Sequence, residues 1–204
     1  LVVAAPREAV ARFYEGQKEV LAAATRRLER FRTARGVAAD GRRIEVGANV
    51  GTVEEAQSAF ENGAEGIGLF RTEFLFLDRP TIPTEEEHYR AYRQVLESMN
   101  GRPVTIRTLD IGADKEARAL RNRAGNRSAP NPALGLRAVR FCLAEPKLFL
   151  TQLRAILRAS HYGKVRILIP MLAHTQEIEQ TLALIELAKL QLRDARQKFD
   201  TVEV

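Results

Sequence analysis

Apolar side chains recur at helical spacing along the first stretch of the chain. Between residues 6 and 35 they fall three or four positions apart, with one gap of seven, at Val10, Tyr14, Leu21, Ala24, Leu28 and Phe31. Pro6 is typical of a helix start and Gly36 of a helix stop, whereas Gln17 breaks the apolar stripe beside Gly16. The pattern predicts a long amphipathic helix, with a kink near Gly16, that serves as a packing or linker element.

Beyond residue 38 the pattern changes to short apolar runs that alternate with helical segments. Four runs predict strands at 45–50, 66–70, 104–109 and 165–171, and 202–204 looks like the opening of a fifth. Helix starts are marked by two capping boxes, Thr52 with Glu55 and Thr84 with Glu87, and by Asn131 before Pro132. Further helices are expected at 152–159 and 175–198. These units predict an α/β fold with a parallel sheet, either doubly wound or closed into a barrel.

Length and composition exclude several classes of protein. With 204 residues, 45% of them hydrophobic and 28% charged, the chain is able to bury a core and is neither low-complexity nor disordered. It has one cysteine, no apolar run of membrane-spanning length and no charged-then-apolar leader. We therefore expect a cytoplasmic protein without disulfides and without membrane insertion.

The net charge of +6 raises the question of nucleic-acid binding. The positive charge is divided between the N-terminal helix and one later loop, and aromatic residues make up only 6% of the chain. No nucleic-acid-binding motif accompanies these charges. We therefore expect no nucleic-acid partner.

Basic residues stand at the ends of two successive predicted strands. Arg71 directly follows the run 66–70, Arg107 lies in the run 104–109, and Lys115 comes shortly after it. Because the carboxyl ends of parallel strands meet at one edge of the sheet, these side chains are placed to surround one small, highly charged anion. Guanidinium groups bind phosphate and carboxylate through paired hydrogen bonds. The alternative for each arginine is a structural ion pair at a strand end.

Five separate motifs together resemble enzyme I of the phosphoenolpyruvate-dependent sugar phosphotransferase system, the phosphoenolpyruvate-protein phosphotransferases. They are Gly66-Ile67-Gly68-Leu69-Phe70-Arg71-Thr72-Glu73-Phe74-Leu75-Phe76-Leu77, Pro83-Thr84-Glu85-Glu86-Glu87, and the stretches 107–115, 131–137 and 152–160. Pyruvate phosphate dikinase and phosphoenolpyruvate synthase share the glycine-rich strand with its arginine but are less similar through 74–77 and 83–87. The resemblance covers nearly everything after residue 45.

The resemblance implies a fold and an activity. It implies a linker helix at 1–38, followed at 39–204 by the first half of a TIM-type (β/α)8 barrel of about four βα units, since a complete barrel needs roughly 250 residues. The family binds phosphoenolpyruvate with Mg²⁺ and passes the phosphoryl group through a phosphohistidine domain to HPr or a fused HPr-like domain. Metal ligands are expected beyond Val204, so we expect no metal site and no catalytic residue within this chain. The parent protein is expected to be a homodimer, and the isolated chain to be inactive.

The resemblance also assigns roles to individual residues. Phosphoenolpyruvate-binding positions of the family match Arg71, Arg107, Lys115 and Arg137, the last expected in the first turns of the helix that begins at Asn131. Asp110, Asp114 and Glu73 either face Mg²⁺ through water or simply pair with the arginines, and we expect the second. The remaining candidates are expected to be structural: His88 in a solvated helix, His161 before a turn, His174 at a helix start and Cys142 in the core.

One segment departs from the family pattern, and the partial barrel leaves further alternatives open. The segment between Lys115 and Asn131 is longer than usual and basic, with Arg118, Arg121, Arg123 and Arg127, and is expected to be solvated unless it contacts an acidic partner. A half barrel also exposes an apolar inner face and unpaired strand edges, so we expect self-association or cover by another chain. The alternatives are a non-catalytic dimerisation or regulatory module, and a fragment of another phosphoenolpyruvate-using enzyme.

Overall fold

The structure is a computed structural model, in which the chain divides into two compact units, Leu1–Ile44 and Glu45–Val204. The structure describes residues 7–77, 79–111 and 135–204. The long helix of the first unit and the strands of the second lie close to their predicted places, whereas a short two-stranded ribbon in the first unit was not predicted.

The first unit contains one long helix and a short ribbon. Helix α1 (Glu8–Glu29) runs without interruption through Gly16 and ends before the predicted limit at residue 35. Beyond it the chain tightens, because the N–H groups of Phe31 and Arg32 bond to carbonyls three residues back, at 2.9 and 3.1 Å. This turn leads into an antiparallel ribbon of β1 (Gly36–Val37) and β2 (Arg43–Ile44).

The second unit is built on a parallel sheet of four strands in chain order. The strands are β3 (Gly47–Val50), β4 (Gly66–Arg71), β5 (Val104–Arg107) and β6 (Val165–Leu168). The helices are α2 (Val53–Glu61), α3 (Glu85–Ser98), α4 (Ala138–Ala144), α5 (Pro146–Ala159) and α6 (Thr175–Asp194). The predicted α/β fold with a parallel sheet is therefore confirmed. The expected fifth strand appears as a single parallel bridge between Arg166 and Glu203.

Capping side chains fix where the helices begin. In α3 the N–H of Glu87 donates to Thr84 Oγ1 at 3.3 Å, and the N–H of Thr84 donates to Glu87 Oε2 at 2.7 Å, as the predicted capping box requires. Thr52 caps α2 in the same way, but the carboxylate of Glu55 accepts from the N–H of Gly51 instead, at 2.7 Å. Both predicted helix starts are therefore confirmed.

The strands bury one face and leave the other more exposed. Alternate residues, such as Val104 and Ile106 of β5 and Val165 and Ile167 of β6, pack against α2, α3 and α5. A second apolar cluster continues past the strand ends and includes Leu109 and, from helices, Phe141, Leu153 and Ile185. The chain that leaves β4 and β5 is therefore held in a packed environment, which matters because the candidate residues lie there.

Candidate functional site

The carboxyl ends of β4 and β5 bring two arginines side by side. Arg71 and Arg107 are register partners in the parallel ladder. Their neighbours Phe70 and Ile106, also register partners, point into the core. Since side chains alternate along a strand, both arginines project from the opposite, more open face of the sheet. The two strand-end arginines predicted from the sequence are thus neighbours at one edge.

Arg107 is anchored by two acidic side chains. One of its terminal nitrogens, Nη2, donates to Glu73 Oε1, and the other, Nη1, lies 3.4 Å from Asp110 Oδ2. Arg137 also reaches Asp110, whose Oδ1 accepts from Nη2 at 2.9 Å and from Nε at 3.3 Å. Asp110 therefore bridges two guanidinium groups, and we call Glu73, Arg107, Asp110 and Arg137 the strand-end cluster.

The strand-end cluster is largely removed from water. The side chains of Arg107 and Arg137 are 18% and 13% exposed, and those of Glu73 and Asp110 are 4% and 11% exposed. Charges at such depth are tolerated only when they are paired, because the loss of hydration is otherwise uncompensated. The carboxylates therefore fix the positions of both guanidinium groups, as expected for arginine partners.

Arg71 differs from the other two arginines. It is exposed and makes no hydrogen bond or ion pair to the residues that the structure describes. Within the same described ranges, two buried donors at the end of β5, Arg107 Nε and Thr108 Oγ1, also have no hydrogen-bond partner. The site thus combines arginines held by carboxylates with one exposed, free guanidinium, an arrangement suited to an anion.

Two of the predicted site residues need comment. Lys115 lies outside the described residues, as do Asp114, Asn131, Pro132 and the basic segment with Arg118, Arg121, Arg123 and Arg127. The prediction that Arg137 lies within the first turns of a helix is wrong. Arg137 is extended, with φ −147° and ψ 167°, and precedes α4, because Gly135 and Leu136 before it are not helical.

The three histidines and Cys142 lie in places that fit a structural role, but the prediction that His88 is solvated is wrong. His88 is buried rather than solvated, since it lies on the packed face of α3, and burial lowers its pKa to about 4. Cys142 is buried in α4, where loss of solvation raises the pKa of its thiol to about 12 and suppresses its reactivity. His174 directly precedes α6, and His161 lies 3.5 Å from Asp200.

The sequence-based prediction missed one polar residue beside the strand ends. Gln152 lies on α5 with none of its surface exposed, and its amide bonds to Thr72, Tyr92 and the backbone of Leu109. The available signal was its place in the helix, because Phe149, Leu153 and Ile156 put position 152 on the apolar face. A polar residue on that face requires internal partners.

The described residues do not offer a ready metal site. No group of three or more His, Cys, Asp or Glu side chains able to hold a metal ion occurs in the described part of the chain. Glu73 and Asp110, the carboxylates nearest the strand-end arginines, are engaged by guanidinium groups instead. These residues alone therefore do not fit Mg²⁺.

As for membranes, none of the helices in the described ranges has the length and apolar content that crossing a bilayer requires.

Comparison with known proteins identifies a family and several relatives. Residues 25–204 match the family described as "PEP-utilising enzyme, PEP-binding domain". Relatives named phosphoenolpyruvate-protein phosphotransferase include those of Cupriavidus necator, 48% identical over 201 residues, Staphylococcus carnosus, 45% over 189, and Priestia megaterium, 42% over 205. The alignments cover 98%, 93% and 100% of this chain but 34%, 32% and 35% of the respective relatives.

The chain therefore spans about a third of the length of these curated relatives. The resemblance drawn from the five motifs is confirmed by their names and by the family match. Through its residues 25–204, the chain belongs to the phosphoenolpyruvate-utilising enzymes and to the phosphoenolpyruvate-binding domain of that family.

Proposed function

We propose that this chain is the part of a phosphoenolpyruvate-protein phosphotransferase that binds phosphoenolpyruvate, with Arg71, Arg107, Lys115 and Arg137 as its contacts. The observation that carries the proposal is the register pairing of Arg71 with Arg107 at the carboxyl edge of the sheet, in a chain that matches the binding-domain family. The ligand has a phosphate and a carboxylate, and both suit the forked geometry of guanidinium groups.

The geometry supports different roles for the anchored arginines and for Arg71. Phosphoryl transfer depends mainly on positioning and on neutralising spread negative charge, and needs no covalent step from the binding site. Arg107 and Arg137 are held in place by Glu73 and Asp110 and supply fixed positive charge. Arg71 is exposed and supplies the guanidinium that is free to close on the ligand.

We further propose that residues 39–204 form part of a (β/α)8 barrel, preceded by a linker helix within residues 1–38. Two features support this. All four strands are parallel and stand in chain order, whereas a doubly wound sheet reverses its strand order at the point where ligands bind. The candidate site lies at the carboxyl ends of the strands, where barrel enzymes carry their active sites.

The remaining parts of the reaction are assigned to other segments or partners. We propose that the phosphoryl group passes to a histidine outside this chain and then to HPr or a fused HPr-like domain, as the resemblance to enzyme I implies. Within the chain, His88 is buried and bonded to Tyr92, which makes it unsuited to that role. Mg²⁺ would take its ligands from other residues, since Glu73 and Asp110 already bind guanidinium groups. The parent protein would be a cytoplasmic homodimer, and the isolated chain would not transfer phosphate.

The first test is calorimetric titration of the chain with phosphoenolpyruvate, with and without Mg²⁺. Arg71→Gln is expected to lower the affinity at least about tenfold, the equivalent of one lost charge-assisted hydrogen bond. The matched control is Arg90→Gln on α3, which removes an arginine that pairs with Glu86 at 3.2 Å. Equal affinities for all three proteins would contradict the assignment of Arg71, and no binding by the unmodified chain would show that these residues do not suffice.

A second candidate, an association module, is favoured by an apolar groove next to β6. The groove has a volume of about 540 Å³ and is lined by residues that include Leu168, Leu172, Ile178 and Leu182. Exposed apolar surface of this kind marks interaction sites or association hazards. Light scattering tests whether the groove mediates self-association, because a chain that stays monomeric at high concentration would argue against it.

A further inference from the structure

Gln152 stands at the centre of a buried polar network behind the candidate site. Its Oε1 accepts a hydrogen bond from the N–H of Leu109 at 3.0 Å. Its Nε2 donates to Thr72 Oγ1 and to Tyr92 Oη, each at 3.1 Å. Gln152, Thr72 and Tyr92 have no exposed surface, so these partners replace water for every polar atom of the amide.

The chemistry of the partners fixes the direction of the hydrogen bonds that Gln152 makes. The N–H of Leu109 is only able to donate, so the oxygen of the amide must face it and the NH₂ group must face Thr72 and Tyr92. The hydroxyl of Thr72 then donates to the carbonyl of Arg107 at 2.9 Å. The hydroxyl of Tyr92 also lies 3.0 Å from His88 Nδ1, and since its oxygen already accepts from Gln152, its proton is available to this nitrogen when the imidazole is neutral and protonated on Nε2.

The network touches the chain beside each of the paired arginines. Thr72 directly follows Arg71, and its hydroxyl bonds to the backbone of Arg107 across the two strands. Leu109 lies between Arg107 and Asp110. Gln152 thus connects the end of β4 to the end of β5 from a helix that belongs to neither strand.

We infer that Gln152 is a positioning residue that sets the relative placement of Arg71 and Arg107, and through it the fit of the site to its anion. The inference rests on the proposed function for its ligand and on the described hydrogen bonds for its geometry. It concerns the segments 71–73 and 107–110, where a displacement of about 1 Å is enough to lose much of the benefit of a preorganised site.

The experiment separates positioning from ordinary stabilisation. Gln152→Leu keeps the approximate size of the side chain but leaves the N–H of Leu109 without its acceptor. Leu157→Ala, five residues further along the same buried helix, is the matched control, because it costs packing but removes no hydrogen bond of the network. Thr72→Val, with Thr72→Ser as its conservative counterpart, tests the same network from β4. Urea unfolding ranks the stability of all four variants.

Two readouts are measured on each folded variant. The first is the affinity for phosphoenolpyruvate by calorimetry, which is expected to fall about tenfold in Gln152→Leu and Thr72→Val. It is expected to stay within about twofold in Leu157→Ala and Thr72→Ser. The second is amide hydrogen exchange at Leu109, expected to quicken at least about tenfold in Gln152→Leu. The neighbouring amide of Thr108, which donates to the carbonyl of Leu168 at 2.9 Å, serves as the internal reference.

Each result decides the inference. It is overturned if Gln152→Leu keeps the original affinity, or if Leu157→Ala loses as much affinity at equal stability. If the unmodified chain binds no phosphoenolpyruvate, the proposed function fails for this chain, and the exchange measurement decides alone. Selective exposure of Leu109 in Gln152→Leu then supports the positioning role, whereas equal exchange in Gln152→Leu and Leu157→Ala overturns it.

Discussion

Two clusters of arginines and acidic residues brace the second unit, and they differ in what surrounds them. The first is the strand-end cluster. The second, which we call the helix cluster, joins α3 to α5 through Glu85, Glu86, Arg154 and Arg158. Arg158 donates to Glu85 at 3.0 Å and to Glu86 at 2.9 Å, while Arg154 donates to Glu85 at 2.6 Å. Each cluster contains two arginines and two acidic residues, so charge count alone does not tell them apart.

The two clusters differ in their position and in the presence of an arginine without a partner among the described residues. The helix cluster lies on helix surfaces, and its arginines find acidic partners on the neighbouring helix. The strand-end cluster lies at the carboxyl edge of a parallel sheet, with the exposed Arg71 beside it in register. Ion pairs between neighbouring helices are thus compatible with a purely structural role, whereas an exposed arginine that has no acidic partner among the described residues, beside a buried cluster, is what indicates a place for an anion.

The largest expected effect comes from removing charge inside the strand-end cluster. Arg107→Met keeps an apolar stem but leaves two deeply buried carboxylates without this partner. We expect the free energy of unfolding to fall by about 3–5 kcal/mol, as when one partner of a buried pair is lost. Urea unfolding measures the loss, and adding Glu73→Gln to the variant should recover part of it. A loss no larger than that of Arg158→Met would break the distinction between the clusters.

The next largest effect is a pH dependence that originates at His88, which connects the two regions. His88 bonds to Tyr92 of the buried network and lines a cleft with Glu85 and Lys147. Burial lowers its pKa from 6.5 to about 4, while the nearby Glu87 carboxylate favours the charged form and Arg79 opposes it. Between these pH values the unfolded chain binds a proton that the folded chain does not. The free energy of unfolding therefore has its full value above pH 6.5 and decreases as the pH falls towards 4.

The expected loss over that interval is about 3 kcal/mol, since each pKa unit corresponds to about 1.4 kcal/mol. Urea unfolding at several pH values measures it. His88→Asn is the control, because its amide oxygen replaces Nδ1 as an acceptor but does not titrate. If the variant shows the same slope between pH 6.5 and 4 as the unmodified chain, His88 is not its source.

Much of the fold was predictable because its signals are local. The capping boxes at Thr52 and Thr84 place backbone donors and acceptors within three residues of each other, so a short window of sequence contains the whole interaction. The strand runs are apolar at core positions, which marks them even without partners. The meeting of Arg71 and Arg107 followed from parallel topology alone, since equivalent strand ends share one edge.

The features that the sequence did not predict depend on parts of the chain outside a short window of sequence. Three glutamates at 85–87 made the start of α3 look solvated, although His88, Tyr92 and Val95 lie on its buried face at helical spacing. The role of Gln152 depends on Leu109 and Thr72, which are 43 and 80 residues away in sequence. The Asn131-Pro132 signal placed Arg137 inside a helix, whereas α4 begins only at Ala138. Local pattern fixes none of these contacts.

A smaller effect separates charge from shape at Arg71. Arg71→Lys keeps the positive charge but removes the planar fork that matches phosphate and carboxylate. We expect the affinity for phosphoenolpyruvate to fall by less than in Arg71→Gln, by about threefold to tenfold, with the free energy of unfolding changed by less than about 0.5 kcal/mol. Calorimetry at low and moderate salt measures it. Identical affinities for Arg71→Lys and Arg71→Gln would mean that only bidentate geometry matters, and full retention that only charge does.

The smallest effect on the affinity for phosphoenolpyruvate is expected in the helix cluster, and it completes the comparison. Arg158→Gln removes one guanidinium, but Glu85 keeps Arg154 and Glu86 keeps Arg90 as partners. The free energy of unfolding should therefore fall by only about 1 kcal/mol, as for partly exposed ion pairs. The affinity for phosphoenolpyruvate should not change, because α3 and α5 would keep their apolar contacts and Gln152 its hydrogen bonds. Calorimetry and urea unfolding of one sample give both values. A clear loss of affinity would show that the helix cluster also controls the strand ends, through the one helix, α5, that carries both Arg158 and Gln152.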